Sequence, residues 1–264
     1  MPDKHSSIAI FDSGLGGISV LRKMHKLLPG ENLIYYGDSA HAPYGVRSRE
    51  DVIGLTCGIM EELTALDVKA VVVACNTATS MAVEELRRLY PDTIIVGMEP
   101  AVKPAALSGE HRRVLVLATD ATIAGDRLHR LVESLMDRAE FTLLPAQEIV
   151  RFVEAGCSDS HGCPELDAYL RELLAPYTNR TDAVVLGCTH FPFVENTIRA
   201  LFPPGTPFFD GVEGTVQRTA QRLRERGLLR ETEEEGTVRI LNSRPESIAL
   251  SEQLFYGTKQ DVNI

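Results

Sequence analysis

Two cysteines in this 264-residue chain each follow a run of aliphatic residues. The runs are 71–77 and 184–190, with Cys75 and Cys188 near their ends. A run of this kind that gives way to small and polar residues predicts a buried parallel strand followed by a helix, where α/β folds bind ligands. Each thiol is therefore predicted to lie at a helix N-terminus. There the helix dipole favours the thiolate, which is a better base or nucleophile than the thiol.

The residues that follow the two cysteines are polar. Asn76 and Thr77 come after the first, and Thr189 and His190 after the second. A free cysteine is most often a small buried hydrophobe, but polar neighbours of this kind would be costly in a core. They favour a chemical role for both thiols. His190 is either a structural histidine or a group that exchanges protons in a ligand pocket.

Two Asp-Ser pairs follow predicted strands in the first half of the chain. Asp12 and Ser13 come after the first strand, and Asp38 and Ser39 after the second. Such residues also cap helices, so helix capping is the alternative. Their convergence on the loop of the first cysteine favours substrate binding. The glycines at positions 14, 16 and 17 lack the spacing of a nucleotide-binding loop.

The remaining cysteines give no metal site. Cys157, His161 and Cys163 have a C-x3-H-x-C spacing, but a zinc site needs a fourth ligand that the neighbouring sequence does not offer. A surface loop is the prediction for this segment. Cys57 lies on the apolar face of a predicted helix and is assigned to the core.

Strand and helix patterns alternate along the whole chain, which predicts an α/β fold with doubly wound parallel sheets. Helices are predicted at about 48–66, 78–90, 122–137, 146–155, 165–176 and 213–226. The second half repeats the plan of the first, and the cysteines are 113 residues apart (188 − 75), so a duplicated unit is a hypothesis. The predicted domains are 1–99 with about 209–264, and 100–208.

Composition excludes several classes of function. A formal charge of −10 disfavours nucleic acid as a partner, because phosphate binding requires a basic surface. No apolar run approaches the ~20 residues that cross a bilayer, and the N-terminus has no signal-peptide profile. These features predict a cytoplasmic protein without membrane contact. Five cysteines, an odd count, are expected to remain free thiols in a reducing compartment.

Several segments together resemble the glutamate racemase family. They are 11–17, 37–40 with 43–45, 74–79, 99–101 and 187–192, which occur in the family's order. The resemblance covers about residues 8–225. The two cysteine motifs are specific, whereas the glycine loop alone would not be.

The resemblance implies two pseudo-symmetric α/β domains with the active site between them. It implies conversion of L-glutamate to D-glutamate without cofactor or metal, supplying peptidoglycan synthesis and so cell-wall biogenesis and cell shape. It also implies a homodimer. The chemistry agrees, because inverting a stereocentre without a cofactor requires a base on one face of the α-carbon and an acid on the other.

The resemblance also implies roles for individual residues. Cys75 takes the proton from the D isomer and Cys188 from the L isomer. Asp12, His190 and Glu154 are the implied partners of the thiols. The implied substrate-binding positions are Ser13, Pro43, Tyr44, Gly45, Asn76, Thr77 and Thr189. The sequence departs from the family's usual form around Glu154 and at Gly125 and Gly211, where serine is common.

Three other functions remain open. An aspartate or hydantoin racemase would use the same two thiols, but aspartate-type enzymes tend to have an acidic residue where this chain has His190. A thiol hydrolase would need only one cysteine, with His190 as base. A non-catalytic amino-acid-binding module would have no need of two strand-end thiols.

Overall fold

A computed structural model describes residues 2–257 of the chain. Met1 and residues 258–264, the end of the predicted first domain, lie outside the described residues. The chain divides into two compact units: unit 1 comprises the residues up to Met98 and those from Val212 onward, and unit 2 comprises Glu99–Gly211. No helix within residues 2–257 is long and apolar enough to cross a membrane.

Unit 1 contains a five-stranded parallel sheet with the strand order β4-β3-β1-β2-β9. Its strands are β1 (Ser7–Asp12), β2 (Leu33–Gly37), β3 (Val68–Val73), β4 (Ile94–Gly97) and β9 (Val238–Asn242). The first and third strands are entirely or almost entirely buried, which explains their near-continuous aliphatic sequences.

The helices of unit 1 cover the faces of this sheet. They are α1 (Ile18–Leu27), α2 (Arg49–Thr64), α3 (Asn76–Leu89), α10 (Val212–Glu225) and α11 (Ile248–Tyr256), with short 3-10 turns at Tyr44–Val46 and Pro245–Ser247. Val71 and Val73 of β3 belong to one core cluster with Met60 of α2 and Leu86 of α3. Cys57 packs against the edge of this cluster and is half-buried, as its helix-face position predicts.

Unit 2 contains a four-stranded parallel sheet with the strand order β6-β5-β7-β8. Its strands are β5 (Arg112–Ala118), β6 (Ala139–Pro145), β7 (Ala183–Leu186) and β8 (Phe208–Asp210). Its helices are α4 (Val102–Ala106), α5 (Asp120–Ala124), α6 (Asp126–Glu133), α7 (Gln147–Glu154), α8 (Pro164–Leu174) and α9 (Glu195–Arg199), with a 3-10 turn at Phe191–Val194. The α/β prediction with parallel sheets is confirmed.

The two units share one strand order. When the strands of each unit are numbered in chain order, both sheets have the order fourth, third, first, second. The fifth strand of unit 1, β9, extends its sheet beyond the second strand. In both units the third strand is the one that precedes the strand-end cysteine. This common topology is what the duplication hypothesis predicts, and it gives every strand of unit 2 a counterpart in unit 1.

One predicted helix, 122–137, is divided in the structure. Gly125 ends α5 and begins α6 with an extended backbone conformation, φ −80° and ψ 131°. Glycine is a poor helix former, and Asp126 directly after it supplies a favourable charge in the new first turn. The prediction of one continuous helix was therefore wrong.

A buried ion pair lies at the amino-terminal side of the sheet in unit 1. Lys69 Nζ lies 2.5 Å from Glu31 Oε2, and the two residues are 2% and 1% exposed. The ammonium also donates to the carbonyl oxygen of Lys4 at 2.8 Å, and Glu31 Oε1 accepts the backbone N–H of Arg230 at 2.8 Å. Burial lowers the pKa of Lys69, and Glu31 opposes that change. The pair ties the C-terminal segment to β2 and β3.

Candidate active site

The polar residues of unit 1 are concentrated at the carboxyl ends of three adjacent strands. Asp12 is the last residue of β1, Asp38 follows β2, and Cys75 lies two residues beyond β3. All three are buried. Because β3, β1 and β2 are neighbours in a parallel sheet, their carboxyl ends meet at one edge. Unit 1 therefore presents a thiol and two carboxyl groups on a single edge.

Cys75 is the N-cap residue of α3, as predicted from the sequence. Its Sγ accepts the backbone N–H of Ala78 at 3.4 Å and lies 3.4 Å from the Oγ of Ser13, to which the thiol donates. The first turn of a helix carries a partial positive charge and unpaired N–H groups. This environment stabilises negative charge on the sulfur, which is what a base requires.

Asp38 is the centre of a hydrogen-bonded group. Tyr44 donates its hydroxyl to Asp38 Oδ2 at 2.6 Å, and His41 Nδ1 lies 2.8 Å from Asp38 Oδ1. Burial raises the pKa of Tyr44, and the hydrogen bond and charge of Asp38, with the charges of Cys75 and Asp12, raise it further. The phenol of Tyr44 therefore stays protonated and can act only as a donor to the carboxylate.

The loop that carries Asp38 and Ser39 is held by the C-terminal part of the chain. Asn242 donates its side-chain amide to Ser39 Oγ at 3.0 Å, and Ser243 Oγ accepts the backbone N–H of Ala40 at 3.0 Å. A Cβ on Gly37 would meet Asn242 Nδ2 at 2.6 Å, so only glycine permits this approach. Asn242 and Ser243 carry no local sequence signal for this role, because only the fold brings them to this loop.

The other substrate-binding positions expected in unit 1 surround this edge. Asn76 and Thr77 are the first residues of α3 and are buried. Both amide atoms of the Asn76 side chain have no hydrogen-bond partner among the described residues. Pro43 precedes the 3-10 turn that begins at Tyr44, and Gly45 lies within that turn.

Cys188 occupies the corresponding position in unit 2, after β7 at the carboxyl edge of the sheet, and it is buried. Gly187 brings the chain close to β5, because its N–H donates to the carbonyl of Leu117 at 2.7 Å and a Cβ there would lie 2.7 Å from that oxygen. The backbone directly before Cys188 is therefore held against β5.

The prediction that Cys188 lies at a helix N-terminus was wrong. A turn follows the cysteine, then the 3-10 turn Phe191–Val194, and α9 begins only at Glu195. Pro192 explains the delay, because proline is accommodated only in the first turn of a helix. Cys188 therefore receives its electrostatic partner from a side chain rather than from a helix dipole.

That side chain is His190. Its Nδ1 lies 3.6 Å from Cys188 Sγ, and its Nε2 lies 2.7 Å from Glu154 Oε1. Burial lowers the pKa of His190, but the hydrogen bonds and charges of Cys188 and Glu154 outweigh burial and raise it well above 6.5. An ionised Glu154 holds a proton on Nε2, which leaves Nδ1 free to exchange a proton with the thiol. Cys188, His190 and Glu154 therefore form a hydrogen-bonded series in which the imidazole can hold a proton next to the thiol.

Replacing Glu154 with glutamine is expected to lower the pKa of His190, because one of the two partners that raise it loses its charge. The folded pKa lies above the unfolded value of about 6.5. The imidazolium therefore stabilises the fold fully below that pH, and the contribution is lost as the pH rises through the folded pKa. Glu154→Gln should destabilise the protein at pH 6, and this loss of stability should become smaller as the pH rises to 9.

Proton NMR titration of the His190 ring, assigned with His190→Asn, measures the pKa of His190. Thermal unfolding from pH 6 to 9 measures the loss of stability. Glu148→Gln is the matched control, since Glu148 is on the same helix but pairs with Arg151 in solvent. An unchanged ring pKa in Glu154→Gln would contradict the described contact.

Further polar residues of unit 2 reach the same edge. Thr189 is 1% exposed and lies between Cys188 and His190. Thr119 and Thr122 follow β5, are buried, and are joined by a hydrogen bond of 2.9 Å between their hydroxyl oxygens. These two threonines are not among the site residues predicted from the sequence. The available signal was their position directly after an aliphatic strand.

Cys157 and Cys163 form a disulfide, so the expectation that all five thiols stay free was wrong. The chain reverses at Gly156, which has φ +97°, and a bridge joins Ser158 to His161. This brings the two Cα atoms to 5.6 Å, within the range that a disulfide spans. Within residues 2–257, no group of three or more His, Cys, Asp or Glu side chains could hold a metal ion.

The sequence matches the model of the Asp/Glu/Hydantoin racemase family over residues 8–219, which is most of the chain. The protein belongs to the Asp/Glu/hydantoin racemase family. Among the racemases of this family, it is 42% identical over 241 residues to a protein of Clostridium perfringens named glutamate racemase. That similarity covers 91% of this chain and 92% of that protein.

Solved structures of other family members are similar over nearly the whole chain. A glutamate racemase isoform of Bacillus anthracis has a TM-score of 0.85 at 26% identity, and covers 96% of this chain and 95% of its own. The Escherichia coli glutamate racemase, solved with L-glutamate and the activator UDP-MurNAc-Ala, has a TM-score of 0.82 at 29% identity and covers 95% of both chains.

Proposed function

We propose that this member of the racemase family interconverts L-glutamate and D-glutamate by proton transfer at the α-carbon. The observation that carries the proposal is the pair of buried thiols outside the disulfide, Cys75 and Cys188, each placed after the third strand of a sheet with the same strand order. A hydrolase needs one nucleophilic thiol, whereas racemisation without a cofactor needs two groups that take and give protons. The glutamate racemases among its relatives support the choice of substrate.

In the L-to-D direction, the thiolate of Cys188 removes the α-proton, and the thiol of Cys75 delivers a proton to the opposite face. The roles exchange in the reverse direction. His190, held by Glu154, receives and returns the proton of Cys188, while Ser13 and the N-terminus of α3 support Cys75. Because the α-proton is a very weak acid, stabilisation of the developing carbanion must supply much of the rate enhancement.

The remaining polar groups hold the substrate. Asn76, Thr77 and Thr189 supply buried donors for carboxylate oxygens, and the turn formed by Pro43, Tyr44 and Gly45 supplies a further contact surface. Asp38 is an acceptor for the ammonium group, Ser39 is positioned by Asn242, and Asp12 is the carboxylate partner of the Cys75 thiol. In this proposal no cofactor or metal takes part in the reaction.

The proposal includes a physiological role. D-glutamate made in the cytoplasm would serve peptidoglycan synthesis and thereby cell-wall biogenesis and cell shape, and the protein would act as a homodimer. Size-exclusion chromatography with light scattering measures the oligomeric state, with a mass of two chains of 29.0 kDa expected.

Incubation of the purified protein with L-glutamate in deuterated water, without added cofactor, tests the activity. The optical rotation is expected to disappear while deuterium enters the α-position, and the same result is expected when D-glutamate is supplied. Turnover of aspartate or a hydantoin in place of glutamate would assign a different activity of the same family. No exchange with any of these substrates would overturn the proposed racemisation.

A further inference from the structure

Gln147 carries a buried carboxamide that no other described residue satisfies. The residue is 7% exposed, and neither Nε2 nor Oε1 has a hydrogen-bond partner among residues 2–257. A buried polar group without a partner destabilises a protein, so its presence indicates a ligand or water that completes it. Among the buried side chains of residues 2–257, Asn76 also leaves both atoms of its amide unpartnered, and His25 leaves one ring nitrogen.

The topology places Gln147 at the functional edge of unit 2. It follows β6, the second strand of its unit, and β6 is the counterpart of β2 in unit 1. The segment after β2 carries Asp38, Ser39 and Tyr44, which hold part of the site already described. Gln147 therefore stands where unit 1 has its own loop of polar residues.

The helix geometry directs Gln147 toward the same side as Glu154. The two residues are the first and last of α7 and are seven positions apart, so they share one face of the helix. Glu154 on that face bonds to His190, which contacts Cys188. The unsatisfied amide thus belongs to the face of α7 that supports the reacting thiol.

We infer that Gln147 is a substrate-binding residue of the proposed glutamate racemase, donating from Nε2 to a substrate carboxylate. Glutamate carries two carboxylates and one ammonium group, so it needs more donors than acceptors. The cysteine and glutamate groups on this edge are acceptors and the threonine hydroxyls can donate, so the amide adds a further donor, one of fixed geometry. Its carbonyl oxygen can accept from the ammonium group, so a single ligand satisfies both atoms.

The test is a KM-against-kcat comparison on the whole protein with L-glutamate and D-glutamate. Gln147→Leu and the nearly isosteric Gln147→Met are expected to raise KM about tenfold to a hundredfold, the cost of one hydrogen bond to a charged group. Gln147→Glu should raise KM at least as much, because it replaces the donor with an anion. The melting temperature of ligand-free Gln147→Leu should equal or exceed that of the wild type, since an unpaired buried amide is removed.

Gln221→Leu is the matched control, because Gln221 is exposed on α10 and its described bonds are to Arg218 and Glu225 of the same helix. The inference rests on the proposed function, and the wild-type assay separates the two. An active wild type with unchanged KM in all three Gln147 variants overturns this inference alone. A wild type that neither racemises nor exchanges glutamate overturns the proposed function and this inference with it.

Discussion

Alanine at Cys75 or at Cys188 is expected to reduce racemisation of glutamate by about 10²- to 10⁴-fold in both directions, the usual contribution of a general acid or base. Each direction needs one thiolate to remove the proton and one thiol to return it. Loss of either group therefore stops inversion whichever isomer is supplied. Serine at the same positions is expected to fail equally, because a hydroxyl is a far weaker acid than a thiol.

The measurement is optical rotation with α-deuterium incorporation, made on both isomers for each variant. Cys57→Ala is the control, since Cys57 is a free thiol that lies on α2 and packs against the core of unit 1. It should retain wild-type rates. If one of the two single variants kept full racemase activity, the two-thiol mechanism would be wrong and a single nucleophile would explain the chemistry better.

Removal of one partner of the buried ion pair is expected to destabilise the protein by about 3–5 kcal/mol, through Lys69→Met or Glu31→Gln. Each change leaves one buried polar or charged group without its partner. Glu31→Gln also replaces a charged acceptor for the backbone N–H of Arg230 with a neutral one, which weakens the contact of the C-terminal segment with the chain before β2.

Chemical denaturation of the single variants and of the double variant measures the coupling between the two residues. The double variant should be less destabilised than the sum of the singles, because neither charge is then left alone. Lys23→Met provides the comparison, since Lys23 pairs with Glu213 at 2.8 Å on the surface, where a pair contributes about 0–1 kcal/mol. Equal effects for Lys69 and Lys23 would show that burial adds nothing to the pair.

Local sequence was sufficient to predict the strands that carry the reactive groups. The aliphatic runs before Cys75 and Cys188 are buried strands, and Cys75 caps the following helix as predicted. The same reasoning failed for Cys188, because Pro192 moves the helix start and a histidine replaces the dipole. Strand-to-cysteine patterns therefore predict where a thiol lies better than they predict what stabilises it.

Contacts between distant parts of the chain could not be predicted in the same way. Asn242 meets Ser39 across 203 positions, and only the pairing of β9 with β2 brings them together. The amide of Gln147 gave no sequence signal, since it is significant because it is buried and has no partner within residues 2–257. The Cys157–Cys163 bond depends on a reversal at Gly156 that spacing alone did not indicate.

The order of elements along the chain sets the order in which the two units can be completed during translation. Unit 2 is continuous from Glu99 to Gly211, so a nascent chain holds all of it once Gly211 has left the ribosome. At that moment unit 1 still lacks α10, which packs on α1, β3 and β4, and β9, which pairs with β2. The edge of β2 stays unpaired until the C-terminal segment emerges, an interval in which strand edges are prone to aggregate. The half of the protein that is synthesised first is therefore the half that finishes folding last.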